Sequence, residues 1–237
     1  MATALLLDFY RELPERTDEG EPDDNWQARY EGELEKFHQR VLEHYTEGTL
    51  QRLLDASHPQ TRQAAIFALG LYAGMTSNKA LAGMLHDEDQ TVRQMAAEAM
   101  WSIWFRAGTA EQNAELERLA LLASGEDAEA DKAEIFAGFE QLIKQAPEFA
   151  EAYNQRAMFH FRLEDYPKAI KDCERTLKLN VYHFAAAGGL AQCYQKQRKL
   201  RAALRAYRRS LRLNPNLEEV QEAIHSLEKT LGEEGKR

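Results

Sequence analysis

Valine and isoleucine are scarce in this chain: 4 Val and 6 Ile among 237 residues, against 35 Ala and 29 Leu. Because β-branched side chains favour strands while Ala and Leu favour helices, that imbalance excludes a sheet-built fold and the nucleotide sites that depend on strands. Cysteine is almost absent: Cys173 and Cys193 make neither a disulfide framework nor a metal knuckle and read as reduced core thiols. No apolar run approaches the roughly 18 residues of a membrane span. The apolar stretch Ala4 to Leu7 ends at Asp8, too short and too acidic for a secretory signal, so a cytoplasmic location is expected. Also missing are an HExxH pair, a Gly-rich phosphate loop and any zinc spacing. No metal, cofactor or catalytic residue is therefore expected.

What remains is an Ala- and Leu-rich, all-α composition with 44% apolar and 29% charged residues. Net charge is −9, unevenly distributed: residues 1–50 carry 5 basic and 13 acidic side chains, whereas 190–237 carry 11 and 6. Such a gradient can steer an oppositely charged partner, or the acidic N-terminal half of one copy toward the basic C-terminal half of another. A short helix over Ala2 to Leu13, a mobile acidic linker from Pro14 to Asn25 and a helix from Trp26 to about Tyr45 precede the rest.

Two internal repeats follow. Leu50 to Gly70 aligns without a gap on Leu81 to Trp101 at an offset of 31, pairing Leu50 with Leu81, Leu54 with Leu85, Arg62 with Arg93, Ala65 with Ala96 and Ala68 with Ala99. Each copy reads as a short helix, a polar turn and a longer helix. Pro59 falls at the start of one second helix and Asp89 at the N-cap of the other. Arg62 and Arg93, just past the turn, are placed to bind turn carbonyls or acids of a neighbouring repeat, and Gly70 is small enough for the next repeat to pack against. This pattern resembles HEAT-type repeats in their short form. The second repeat lays Phe149 to His183 on His183 to Leu217 at an offset of 34, matching Ala157 with Ala191, Ala169 with Ala203, Leu177 with Leu211 and Asn180 with Asn214. It resembles the tetratricopeptide repeat (TPR). Ala133 to Pro147 reads as the second helix of a degenerate TPR, and Asn216 to Leu231 as a terminal cap opening on an Asn/Glu219 capping box.

The expected fold is an α-solenoid of HEAT-like helix pairs continuing into TPR helix pairs. Its parts are 1–25 (helix and linker), 26–110 (HEAT-like), 111–148 (junction and degenerate TPR) and 149–237 (two TPRs and a capping helix). The TPR resemblance implies that first helices line a concave groove, here Glu151, Asn154, Gln155, Met158, Phe161 and Arg162, then Gln192, Gln195 and Lys196. Asn154, Met158 and Gly189 stand where the family's carboxylate clamp for chaperone tails needs Lys, Asn and Asn, which argues against that specificity. Gly188 and Gly189 either open space for a ligand or allow tight helix packing.

Trp101, Trp104 and Phe105 either fill the junction with the TPR array or form a second interface. His160, at an aromatic position of the TPR pattern, reads as a packed, hydrogen-bonded histidine. From Lys196 to Arg212 eight of 17 residues are basic and none is acidic; Arg201, Arg205, Arg208 and Arg212, spaced 4, 3 and 4, form one helix face. The resemblance implies a non-catalytic adaptor that binds a protein or peptide, acidic in character, in the groove. A nucleic-acid-associated protein using the basic face is the alternative, which the net acidity disfavours, and a HEAT-like enzyme ranks behind both.

Overall fold

The computed structural model describes residues 2–14 and 23–234, in two compact units, Met1–Ile103 and Trp104–Arg237. Every regular element among the described residues is helical. No helix among them is long and apolar enough to cross a membrane. The helices are α1 Ala2–Arg11, α2 Asp23–His44, α3 Glu47–Leu53, α4 Pro59–Tyr72, α5 Asn78–Met84, α6 Gln90–Phe105, α7 Ala110–Ser124, α8 Lys132–Gln145, α9 Ala150–Arg162, α10 Tyr166–Leu179, α11 Phe184–Lys196, α12 Leu200–Leu213 and α13 Glu218–Glu234. Two expected boundaries shift. The second helix begins at Asp23 rather than Trp26, so of the expected linker Asp23 to Asn25 are helical and 15–22 lie outside the described residues. The last helix begins at Glu218, two residues after Asn216, whose side-chain amide donates to Asn214 Oδ1 (2.9 Å).

In the first unit, α1 and α2 lie against the α3/α4 pair, with Leu6, Phe9, Phe37, Val41, Leu50, Ile66 and Leu69 buried. Phe67 packs on both Tyr10 and Phe37, and Arg40 covers the Phe9 ring while pairing with Glu12. The two HEAT-like copies share one turn device. Arg62 Nη1 donates to Ala56 O (2.9 Å) and Ser57 O (3.2 Å), and 31 residues on Arg93 Nη1 donates to Asp87 O (2.9 Å) and Glu88 O (3.1 Å). Arg62 Nη2 also reaches forward to Asp87 Oδ1 of the next turn (2.7 Å). Pro59 opens α4, and Asp89 caps α6 by accepting from Val92 N–H (2.9 Å). At Gly70 a Cβ would meet Ala99 Cβ at 3.1 Å and Cα at 3.2 Å, the close approach its small size permits.

In the second unit α7 to α12 form three helix pairs followed by α13, each helix packed on the next. The core runs from Leu116, Leu119, Ile135, Phe139, Leu142 and Phe159 to Ala157, Cys173, Leu177, Leu190, Ala191, Ala203, Tyr207 and Leu227. Equivalent residues make equivalent bonds. Thr176 Oγ1 donates to Ala150 O (3.4 Å) as Ser210 Oγ does to Phe184 O (2.8 Å), and the side-chain oxygens of Asn180 and Asn214 each accept a backbone N–H two residues on (3.1 Å). Glu164 and Arg198, also 34 apart, take positive φ of 59° and 60° in the turns between paired helices. Cys173 and Cys193 are buried free thiols; burial pushes both up, Cys193 to about 11, which keeps them protonated and unreactive near neutral pH.

Gly188 and Gly189 fit neither reading in full. A Cβ at Gly188 would touch Ser210 Oγ at 3.5 Å, and one at Gly189 would touch Cys173 Sγ at 3.6 Å: ordinary van der Waals contact with the helix neighbours, with no clash and no vacant space. Since each glycine costs a helix interior about 1 kcal/mol against alanine, Gly188→Ala and Gly189→Ala should each raise stability by up to about that amount. Urea unfolding of the single variants checks this, a loss of stability being the contrary result.

Candidate functional site

In the second unit α7 lies beside α9, and α9 beside α11. The structure divides the residues expected in a groove on α9 and α11 into two sets. Met158 is 56% exposed, and Arg162, Gln192, Gln195 and Lys196 are also exposed. Gln195 accepts from the Tyr207 hydroxyl (2.9 Å), and Arg162 Nη1 donates across to Ala123 O at the end of α7 (2.8 Å). Phe161 is half-buried and packs edge-on against Tyr166 (5.6 Å between ring centroids), toward α10.

Glu151 and Asn154 are not open groove residues. Glu151 is 1% exposed, and its carboxylate accepts from His183 Nε2 (2.8 Å), Asn154 Nδ2 (2.9 Å) and the half-buried Gln155 Nε2 (2.6 Å). His183 Nδ1 accepts from Ala186 N–H (3.1 Å) as the N-cap of α11, so it is the Nε2–H that donates to Glu151. Trp104 stacks on the face of the His183 ring at 4.1 Å and lies 5.2 Å from the Phe184 ring. A buried carboxylate is tolerable here because three donors face it. The cluster fixes the first turn of α9 to the first turn of α11, and the exposed residues stand further along the same two helices.

That packing also corrects the expected second interface. Trp104 is 1% exposed and unavailable to a partner, while Phe105 packs half-buried against the core of α7, α8 and α9, and Trp101 is half-buried. What the sequence reading missed is the third helix beside the site. α7 presents Ala114, Glu117, Leu121 and Ser124 to solvent at helical spacing, and Leu121 is 74% exposed. The missed signal was Thr109 followed three residues later by Gln112, which form a reciprocal capping box and start α7.

Arg201, Arg205, Arg208 and Arg212 are all exposed along α12, as their spacing implies. Arg208 Nη2 pairs with Glu228 of α13 at 2.7 Å. His160 is packed but lacks the expected hydrogen bond. It stacks on Phe136 (4.6 Å) in a cleft of about 420 Å³ bordered by Arg156, Lys168, Lys171 and Asp172, and its buried Nδ1 has no hydrogen-bond partner. Burial lowers its pKa, opposed by Asp172 and Asp165, which favours the neutral ring. Asp172 is itself held by both Nε and Nη2 of Arg156 at 2.7 Å. Among the described residues no group of three or more His, Cys, Asp or Glu is placed to hold a metal ion.

Residues 46–135 match the HEAT repeats family, and residues 148–216 match the tetratricopeptide repeat family. A TPR repeat-containing protein of Rhizobium etli is 29% identical over 92 residues, covering 39% of this chain and 45% of that protein. Sperm-associated antigen 1 of Mus musculus is 30% identical over 80 residues, 34% of this chain and 9% of that protein. The chain thus spans less than half the length of these curated relatives. Among solved structures, the first TPR of Spaghetti bound to an HSP90 peptide is similar at 21% identity and a TM-score of 0.45, covering 50% of this chain and 94% of that one. With both matched segments in the order that the 31- and 34-residue offsets imply, the chain is a helical-repeat protein in which HEAT-type repeats are followed by tetratricopeptide repeats.

Proposed function

We propose that the chain is a non-catalytic protein-interaction adaptor whose TPR part binds a peptide segment across α7, α9 and α11. The observation that carries this reading is the pair of exposed apolar side chains on neighbouring helices, Leu121 at 74% and Met158 at 56%. Apolar groups left in water beside polar neighbours supply most of the energy when a partner covers them. Gln192 and Gln195 offer amides to a peptide backbone, and the cations Arg162 and Lys196 favour a segment with acidic residues. The buried cluster beneath supports the reading by holding α9 and α11 in fixed register, so that little ordering remains to oppose binding.

The test is a pull-down of the full chain from its native lysate at moderate salt, with a Met158→Ala/Arg162→Ala/Lys196→Ala variant alongside. A defined protein retained by the wild type and reduced at least about tenfold in the variant is expected, an apolar anchor and two cations together exceeding 1.4 kcal/mol. The same protein captured equally by both would overturn the reading. Asn154 has no place in that variant: it is buried and donates to Glu151, so its loss would report on folding.

A further inference from the structure

The 34-residue repeat places cations as regularly as it places the core. Exposed positions on α10 and α12 correspond as Pro167 with Arg201, Lys171 with Arg205, Glu174 with Arg208 and Lys178 with Arg212. At roughly 1.5 Å rise per residue, the two cations in each of the rows Lys171/Lys178 and Arg205/Arg212 stand about 10 Å apart. Tyr194 of α11 lies between the rows, its hydroxyl donating to Glu174 of α10 (3.3 Å) within electrostatic reach of Arg205 of α12. Among the described residues Lys171, Lys178, Arg201, Arg205 and Arg212 make no ion pair. Arg208 shows what this face accepts, since its guanidinium holds a carboxylate from the helix packed alongside, Glu228 of α13.

We propose that the α10/α12 face docks an acidic α-helix of a partner protein, with carboxylates at the i, i+4 and i+11 spacing of Arg201, Arg205 and Arg212. A helix repeats its side chains with the period of the guanidinium row, so several pairs can form at once without distortion. A nucleic acid suits the face less well: the row is only about 16 Å long, the Tyr194 ring between the rows is tied to Glu174, and the chain as a whole carries −9. An anionic membrane surface would want apolar side chains to insert, and the exposed positions of α12 named above are all arginine. The surface is separate from the exposed set on α7, α9 and α11.

The experiment titrates the full chain with two fluorescent, helix-stabilised, Ala-rich peptides of identical composition. One has Glu at i, i+4, i+7 and i+11; the other has the same residues out of register. The registered peptide is expected to bind at least about tenfold more tightly than its isomer and to lose about tenfold on Arg205→Gln/Arg212→Gln, with affinity falling as salt rises. Arg162→Ala/Lys196→Ala should leave binding unchanged, and Glu228→Gln, which releases Arg208, should strengthen it. Equal binding of the two peptides overturns the proposal, as does tighter binding of a short DNA duplex or of phosphatidylserine-containing vesicles than of the registered peptide.

Discussion

Glu151→Ala is expected to destabilise the second unit by about 3 kcal/mol, because it leaves several buried or half-buried N–H donors without their acceptor. Three donors converge on this carboxylate from His183, Asn154 and Gln155. Its removal takes away the carboxylate that accepts the Nε2–H of His183, a ring that is 0% exposed and has Trp104 stacked on its face. Glu151→Gln keeps one carbonyl acceptor and nearly the same volume, so its cost should be smaller, about 1 kcal/mol. Urea unfolding of the full chain followed by circular dichroism measures both. A loss below about 1 kcal/mol for the alanine variant would mean that the cluster relaxes and rehydrates.

Arg62→Ala should cost the first unit a comparable amount, about 3 kcal/mol. The Arg62 and Asp87 side chains are 7% and 8% exposed, and the guanidinium satisfies Ala56 O, Ser57 O and Asp87 Oδ1 together. Truncation strands two turn carbonyls and a desolvated carboxylate in a single step. Arg62→Lys should recover part of the loss, since an ammonium can follow the carboxylate or the carbonyls but lacks the planar fork that reaches both. The same urea titration reads the series. Equal losses for the alanine and lysine variants would show that fork geometry accounts for the whole effect, and negligible losses for both would show that the turn holds without it.

Much of the fold was legible because its signals are local or strictly periodic. The 31- and 34-residue offsets place helix pairs, the Arg62 turn and the Gly70 contact, each of which depends on nearby chain or on the next copy. The site was less legible. The TPR resemblance implied open positions for Met158, Arg162, Gln192 and Lys196, which are exposed, but it implied them for the buried Glu151 and Asn154 as well. A carboxylate's burial is decided by what arrives across space. Here His183 comes from 32 residues downstream and Trp104 from a helix whose own pattern does not reveal its packing partner. Polar side chains at such helix positions look alike in sequence whether they meet solvent or each other.

The turn bond described for Arg62 has an evolutionary consequence. Donor and acceptor lie 25 residues apart, less than the 31-residue period, so one duplicated module carries both ends of the bond. A tandem copy of 57–87 would bring its own arginine and its own aspartate, and every new turn would arrive already locked to the one before it. Arrays built this way can lengthen by unequal recombination without first evolving a fresh contact at the seam.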